Sequence, residues 1–187
     1  APGMVVSPFP NGLAQQIPAY SDLVVQIHYA PLNVEAEDQS TINVFYKEEP
    51  VQRYVQEAIM SSWQLAFPPN ELITISESWQ VPVDISLLQF FPHSHLLGKS
   101  WEIYATTPSN ETIPIIRINQ WDFDWQGFYS PEYLLHIPAG SILTAIGVYD
   151  NTEDNLDNPN EPPEWVYAGE GTEDEMFFVP FRYVIYQ

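Results

Sequence analysis

The sequence predicts an all-β fold, an antiparallel β-sandwich of jelly-roll type, on three observations. Eighteen prolines and eight glycines divide the 187 residues into many short apolar runs. Turn-forming clusters such as Pro68-Pro-Asn70, Pro108-Ser-Asn110 and Pro138-Ala-Gly140 separate those runs. Hydrophobic residues at 45% and aromatics at 14% supply enough apolar surface for a packed core.

Taken in chain order, the first 20 residues are rich in Pro and Gly, lack periodicity and read as a linker or the tail of a preceding domain. Strands are predicted over 23–29, 42–46, 72–81, 85–91, 100–106, 113–118, 133–137, 142–149, 165–168 and 177–186, each an apolar or alternating run bounded by turn residues. Only 51–63 hints at a helix. Residues 150–164 form an acidic loop rich in Asn and Pro. Ten strands in antiparallel arrangement suit a jelly roll. No internal repeat is present.

Five Lys plus Arg against 25 Asp plus Glu give a net charge of −20. Such a surface repels phosphate backbones and anionic lipid, which argues against nucleic-acid and membrane-surface roles. No apolar run reaches membrane-spanning length, so no membrane insertion is expected. The absence of cysteine removes disulfides and thiolate chemistry. The chain opens on Ala1 rather than Met, which predicts a removed upstream segment; a secreted location, extracellular or periplasmic, is expected, where strong acidity would serve solubility. Asn110-Glu-Thr112 fits a glycosylation sequon, relevant only in a eukaryotic secretory setting.

Two segments carry potential chemistry. Phe91-Pro-His-Ser-His-Leu-Leu-Gly-Lys-Ser100 places His93 and His95 at i, i+2, a spacing that turns both imidazoles to one face of a strand. Gly169-Glu-Gly-Thr-Glu-Asp-Glu-Met176 ends in a methionine where an acidic stretch turns back into an apolar run. A methionine alone is ordinary core filling. Two imidazoles with a thioether form a donor set that favours copper, Cu(I) in particular.

His93-Ser-His95-Leu-Leu-Gly-Lys, followed by Gly171-Thr-Glu-Asp-Glu-Met176, resembles the copper type II, ascorbate-dependent monooxygenases, the family of peptidylglycine α-hydroxylating monooxygenase and dopamine β-hydroxylase. Trp125-Gln-Gly-Phe-Tyr129 is similar to that family's Gln-x-Phe-Tyr segment, and Asp22-Leu-Val-Val-Gln-Ile-His-Tyr29 to its strand ending in Gln-Val-His-Tyr. The resemblance implies an oxygen-activating copper on His93, His95 and Met176, which are then also the catalytic residues. His28, with Gln26 beside it, becomes a ligand of a second, electron-supplying copper. It further implies C–H hydroxylation with dioxygen, ascorbate as reductant and a small-molecule substrate. Residues 1–35 become the last strands or linker of a truncated N-terminal copper domain, and 36–187 the C-terminal β-sandwich domain. No other histidine precedes His93, so completing the second site requires the missing N-terminal copper domain, and the chain alone is expected to turn over poorly.

Departures refine this expectation. Peptide-hydroxylating members carry an arginine where this chain has Phe91 and a tyrosine where it has Pro180, which points away from a peptide carboxylate substrate. The absence of cysteine suggests a distant, bacterial branch. The alternative on the same scaffold is a non-catalytic copper-binding or interaction module. A cupin reading fails, because Ser100 and Leu143 stand where its remaining ligands would be. A calcium-loop register from Asp150 to Glu161 has Asn155 in place of the required glycine, which leaves a solvated loop as the stronger reading. Carbohydrate binding through the six tryptophans ranks last, since tryptophans are usually core. His136 reads as a structural or surface histidine.

Overall fold

The structure, a computed structural model, describes residues 8–27, 29 and 34–187. Among these every regular element is a strand: β1 (Leu13–Gln15), β2 (Arg53–Ser62), β3 (Ala66–Phe67), β4 (Glu71–Gln80), β5 (Ile85–Phe90), β6 (Gly98–Thr106), β7 (Thr112–Ile118), β8 (Leu135–Ile137), β9 (Ile142–Asn151), β10 (Val166–Tyr167) and β11 (Phe177–Ile185). They form a five-stranded sheet in the order β1-β2-β11-β5-β8, a four-stranded sheet β4-β9-β6-β7 and the small pair β10-β3. Among the described strands β1 and β2 pair in parallel, and the other strand-to-strand pairings are antiparallel.

Period-two alternation explains the packing. On β6, Trp101, Ile103 and Ala105 are buried while Glu102, Tyr104 and Thr106 are more exposed, and on β9 Leu143, Ala145 and Tyr149 point inward. These side chains share one apolar cluster with Met60, Leu87, Phe177, Val179 and Phe181 of the five-stranded sheet. Each large side chain fully withdrawn from water there contributes about 1.5–3 kcal/mol.

Strand β5 is buried at every position because both its faces are covered. Ile85 and Leu87 face the main cluster, while Leu88 packs with Leu13, Val55 and Val184, flanked by Phe9 and Leu134. The N-terminal stretch read as a linker thus supplies a strand, β1, and part of a second small core.

Eight expected strands form within two residues of their expected bounds. The helix suggested over 51–63 is instead β2, an antiparallel partner of β11 from Ser62↔Phe177 to Gln56↔Tyr183. Its apolar residues, Val55, Ala58, Ile59 and Met60, fit neither period cleanly, and the neighbouring strands decide the outcome. Residues 23–27 and 42–46 adopt no strand, although their patterns resemble one. A strand needs a partner for its backbone donors, and among the described residues none lies beside them.

Candidate metal centre

The site begins where β5 ends. Phe91 N–H donates to the Pro180 carbonyl at 2.9 Å, so the chain keeps running beside β11. His93 and Phe178 then exchange both backbone hydrogen bonds, at 2.9 and 3.2 Å. Carried two residues on, that antiparallel register sets Met176 across from His95. The next rung does not close. The N–H groups of His95 and Met176 both donate to Glu175 Oε1, the latter at 2.8 Å, and Leu97 N–H donates to Oε2 at 3.0 Å. The buried Glu175 carboxylate therefore sits where the ladder would continue and ties the histidine segment to the methionine segment. The Met176 carbonyl accepts instead from the Tyr149 hydroxyl at 2.9 Å.

After His95 the chain turns sharply, with Gly98 N–H donating to the His95 carbonyl, and enters β6. Ser94, fully buried between the histidines, accepts from Trp101 Nε1 at 3.3 Å. Gly98 is required by close approach: a Cβ there would lie 2.2 Å from Ser94 Oγ and 2.6 Å from Trp121 Cδ1.

The two imidazole rings lie 5.1 Å apart at 76°. His95 donates from Nδ1 to the Asp174 carbonyl at 3.0 Å; a carbonyl only accepts, so when neutral this ring carries its lone pair on Nε2. His93 Nδ1 lies 2.5 Å from Gln126 Oε1, and Gln126 is itself buried. Burial pushes the His93 imidazolium down to about 4, with the His95 charge adding to the effect and the Gln126 contact opposing it. His93 is therefore neutral at physiological pH, the state in which imidazole binds a metal. Burial raises the Glu175 carboxyl to about 7 against the pull of its three N–H donors.

Aromatic rings wall the pair. Phe91 stacks on His93 at 5.8 Å and 15°, and Phe128 packs on Phe91 at 5.3 Å. Phe123 meets His95 edge-on at 6.2 Å. The guanidinium of Arg182 lies 4.3 Å from the Phe128 ring centre, with its charge taken up by Glu57 at 3.0 Å. The two sequence departures, Phe91 and Pro180, are thus hydrogen-bonded neighbours beside the histidines.

The structure brings His93, His95 and the Met176 segment together; His28 lies outside the described residues. Gln26, close to it in sequence, donates to Glu170 Oε2 at 3.2 Å, in the segment that leads to Met176. His136 lies apart on β8, 3.1 Å from Asp84, with its ring 4.0 Å from that of Tyr186 and tilted 32° to it. In the acidic loop Asp150 is bound by Lys99 at 2.5 Å and by Thr152, while Asn155 donates to the Leu96 and Asp150 carbonyls. Asp150 and Asn155 thus tie that loop to itself and to the histidine-bearing turn. Among the described residues no three or more His, Asp or Glu side chains converge, so any metal centre here draws its third donor from elsewhere. Sequence reasoning gave Glu175 and Gln126 no role. Each lay within a quoted motif, but their partners are up to 80 residues away in sequence.

Fold and histidine pair together define an all-β domain with a candidate metal centre. Residues 59–186 match the family of the copper type II ascorbate-dependent monooxygenase, C-terminal domain, and the chain belongs to that family. No curated protein matches the chain. No helix among the described residues is long and apolar enough to cross a membrane.

Proposed function

We propose that the chain is the oxygen-activating half of a copper monooxygenase, with one copper held by His93, His95 and Met176. The two sheets with their shared core are read as a sandwich of jelly-roll type. The observation that carries the proposal is the His93–Phe178 pairing, whose register sets Met176 across from His95. The donor set fits copper: each imidazole has Nδ1 engaged, which makes Nε2 the nitrogen that would hold a metal, and a thioether favours Cu(I). Bound copper supplies the redox chemistry that uses dioxygen to hydroxylate a C–H bond, with ascorbate as reductant.

The chain's own residues do the rest. His93 stays neutral, so protons do not compete for its donor nitrogen near pH 7. Glu175 fixes the spacing of the two ligand-bearing segments. Phe91, Phe123 and Phe128 keep water from the rings and favour an apolar substrate over a carboxylate. Residues 1–35 are read as the end of an N-terminal copper domain in which His28 joins two histidines absent from this chain. A secreted location completes the reading.

The test is an anaerobic Cu(I) titration with X-ray absorption at the copper edge. One copper per chain, with two imidazoles and a sulfur that vanishes on Met176→Ile, is the expected result. Copper bound without sulfur, or no tight copper, overturns the ligand set and leaves a non-catalytic module.

A further inference from the structure

The two histidines are held in different ways. His95 donates from Nδ1 to a main-chain carbonyl of the segment that bears Met176. His93 is fixed by a side chain, Gln126, from the loop between β7 and β8. That glutamine is 1% exposed, so water does not compete for its amide. Its orientation is determined by a second contact: Gln126 Nε2 donates to the Phe123 carbonyl at 2.7 Å. An amide nitrogen donates and a carbonyl accepts, so Oε1 must face His93 and accept from Nδ1–H.

We infer that Gln126 is the positioning residue that holds His93 as its Nδ1–H tautomer and thereby makes Nε2 the nitrogen offered to a metal. The inference deepens the proposed copper site and rests on that reading only for the identity of the metal. Neutral imidazole in water favours the opposite, Nε2–H, form, so the folded chain must supply a reason for the reversal. A buried carbonyl 2.5 Å from Nδ1 supplies it, since an unpaired Nδ1 or amide oxygen there would forfeit a hydrogen bond in a place water does not reach. The same loop carries Phe123 onto the edge of His95, so one short segment aligns both rings.

The test needs no copper for its first arm. Long-range 1H–15N correlation spectra of the metal-free chain should show His93 protonated at Nδ1. Gln126→Leu should move that proton wholly or partly to Nε2, while His95, held by the Asp174 carbonyl, keeps its pattern and reports that the fold is intact. Gln126→Glu, which still accepts from Nδ1, should restore the Nδ1–H tautomer. In the second arm Cu(I) affinity should fall about 10–100-fold in Gln126→Leu and recover in Gln126→Glu. If Gln126→Leu does not fold, Gln126→Asn, whose amide stops one methylene short, must give the tautomer change. A His93 that stays Nδ1–H in a folded Leu or Asn variant overturns the inference. Failure of the wild-type chain to bind copper would overturn the metal reading and leave the tautomer result standing.

Discussion

Glu175 accepts the backbone N–H of His95, 80 residues earlier in the chain, and with the same oxygen that of Met176. One buried carboxylate thus closes the gap between the two segments that carry the candidate ligands.

Glu175→Gln should therefore destabilise the fold. The amide keeps one oxygen, and its NH2 must face N–H donors that the carboxylate satisfied. We expect a loss of about 2–4 kcal/mol in urea denaturation. An unchanged midpoint would mean that the carboxylate does not hold the segments together.

Gly98→Ala should also destabilise, because its Cβ would overlap Ser94 Oγ and Trp121 Cδ1. Neither neighbour can retreat freely: Ser94 accepts from Trp101, and Trp121 is buried. A cost of about 1–3 kcal/mol, as for an overpacked core, is expected from equilibrium unfolding. A neutral substitution would show that the turn tolerates more room than the packing suggests.

Asp150 gives a pH dependence whose sign can be worked out. Burial opposes its ionisation, but the hydrogen bonds from Lys99 and Thr152 outweigh that and hold its carboxyl below the usual range. The folded state then binds this proton less readily than the unfolded chain. Its contribution is present above the unfolded value, near 4, and is lost as pH falls through the lower folded value. Thermal unfolding of wild type and Asp150→Asn should converge as the pH drops below about 4. Parallel curves down to pH 2 would exclude the Lys99 pair as a source of acid sensitivity.

Met176→Ile should weaken Cu(I) binding much more than Cu(II), since removing a soft donor penalises the softer ion. Competition titrations with both oxidation states decide it. Equal losses would count against a thioether ligand.

The candidate site was largely legible in the sequence, its internal wiring was not. His93, His95 and Met176 stood out because their residue types and spacing carry the chemistry themselves. Glu175 and Gln126 did not, because a glutamate ahead of a strand and a glutamine in a loop are common, and only their distant partners make them informative. The Asp174 carbonyl that fixes His95 has no sequence signature at all.

By itself, the sequence determined the all-β class, eight of the strands and the family, because turn residues, alternation and ligand spacing are local properties written in consecutive residues. Tertiary structure alone decided that 53–62 is a strand, that residues 9–15 cover the outer face of β5, and that one carboxylate spans the ligand segments. Those outcomes depend on which backbone donors and apolar faces meet across the fold. Local pattern marks such groups as available and says nothing of what satisfies them.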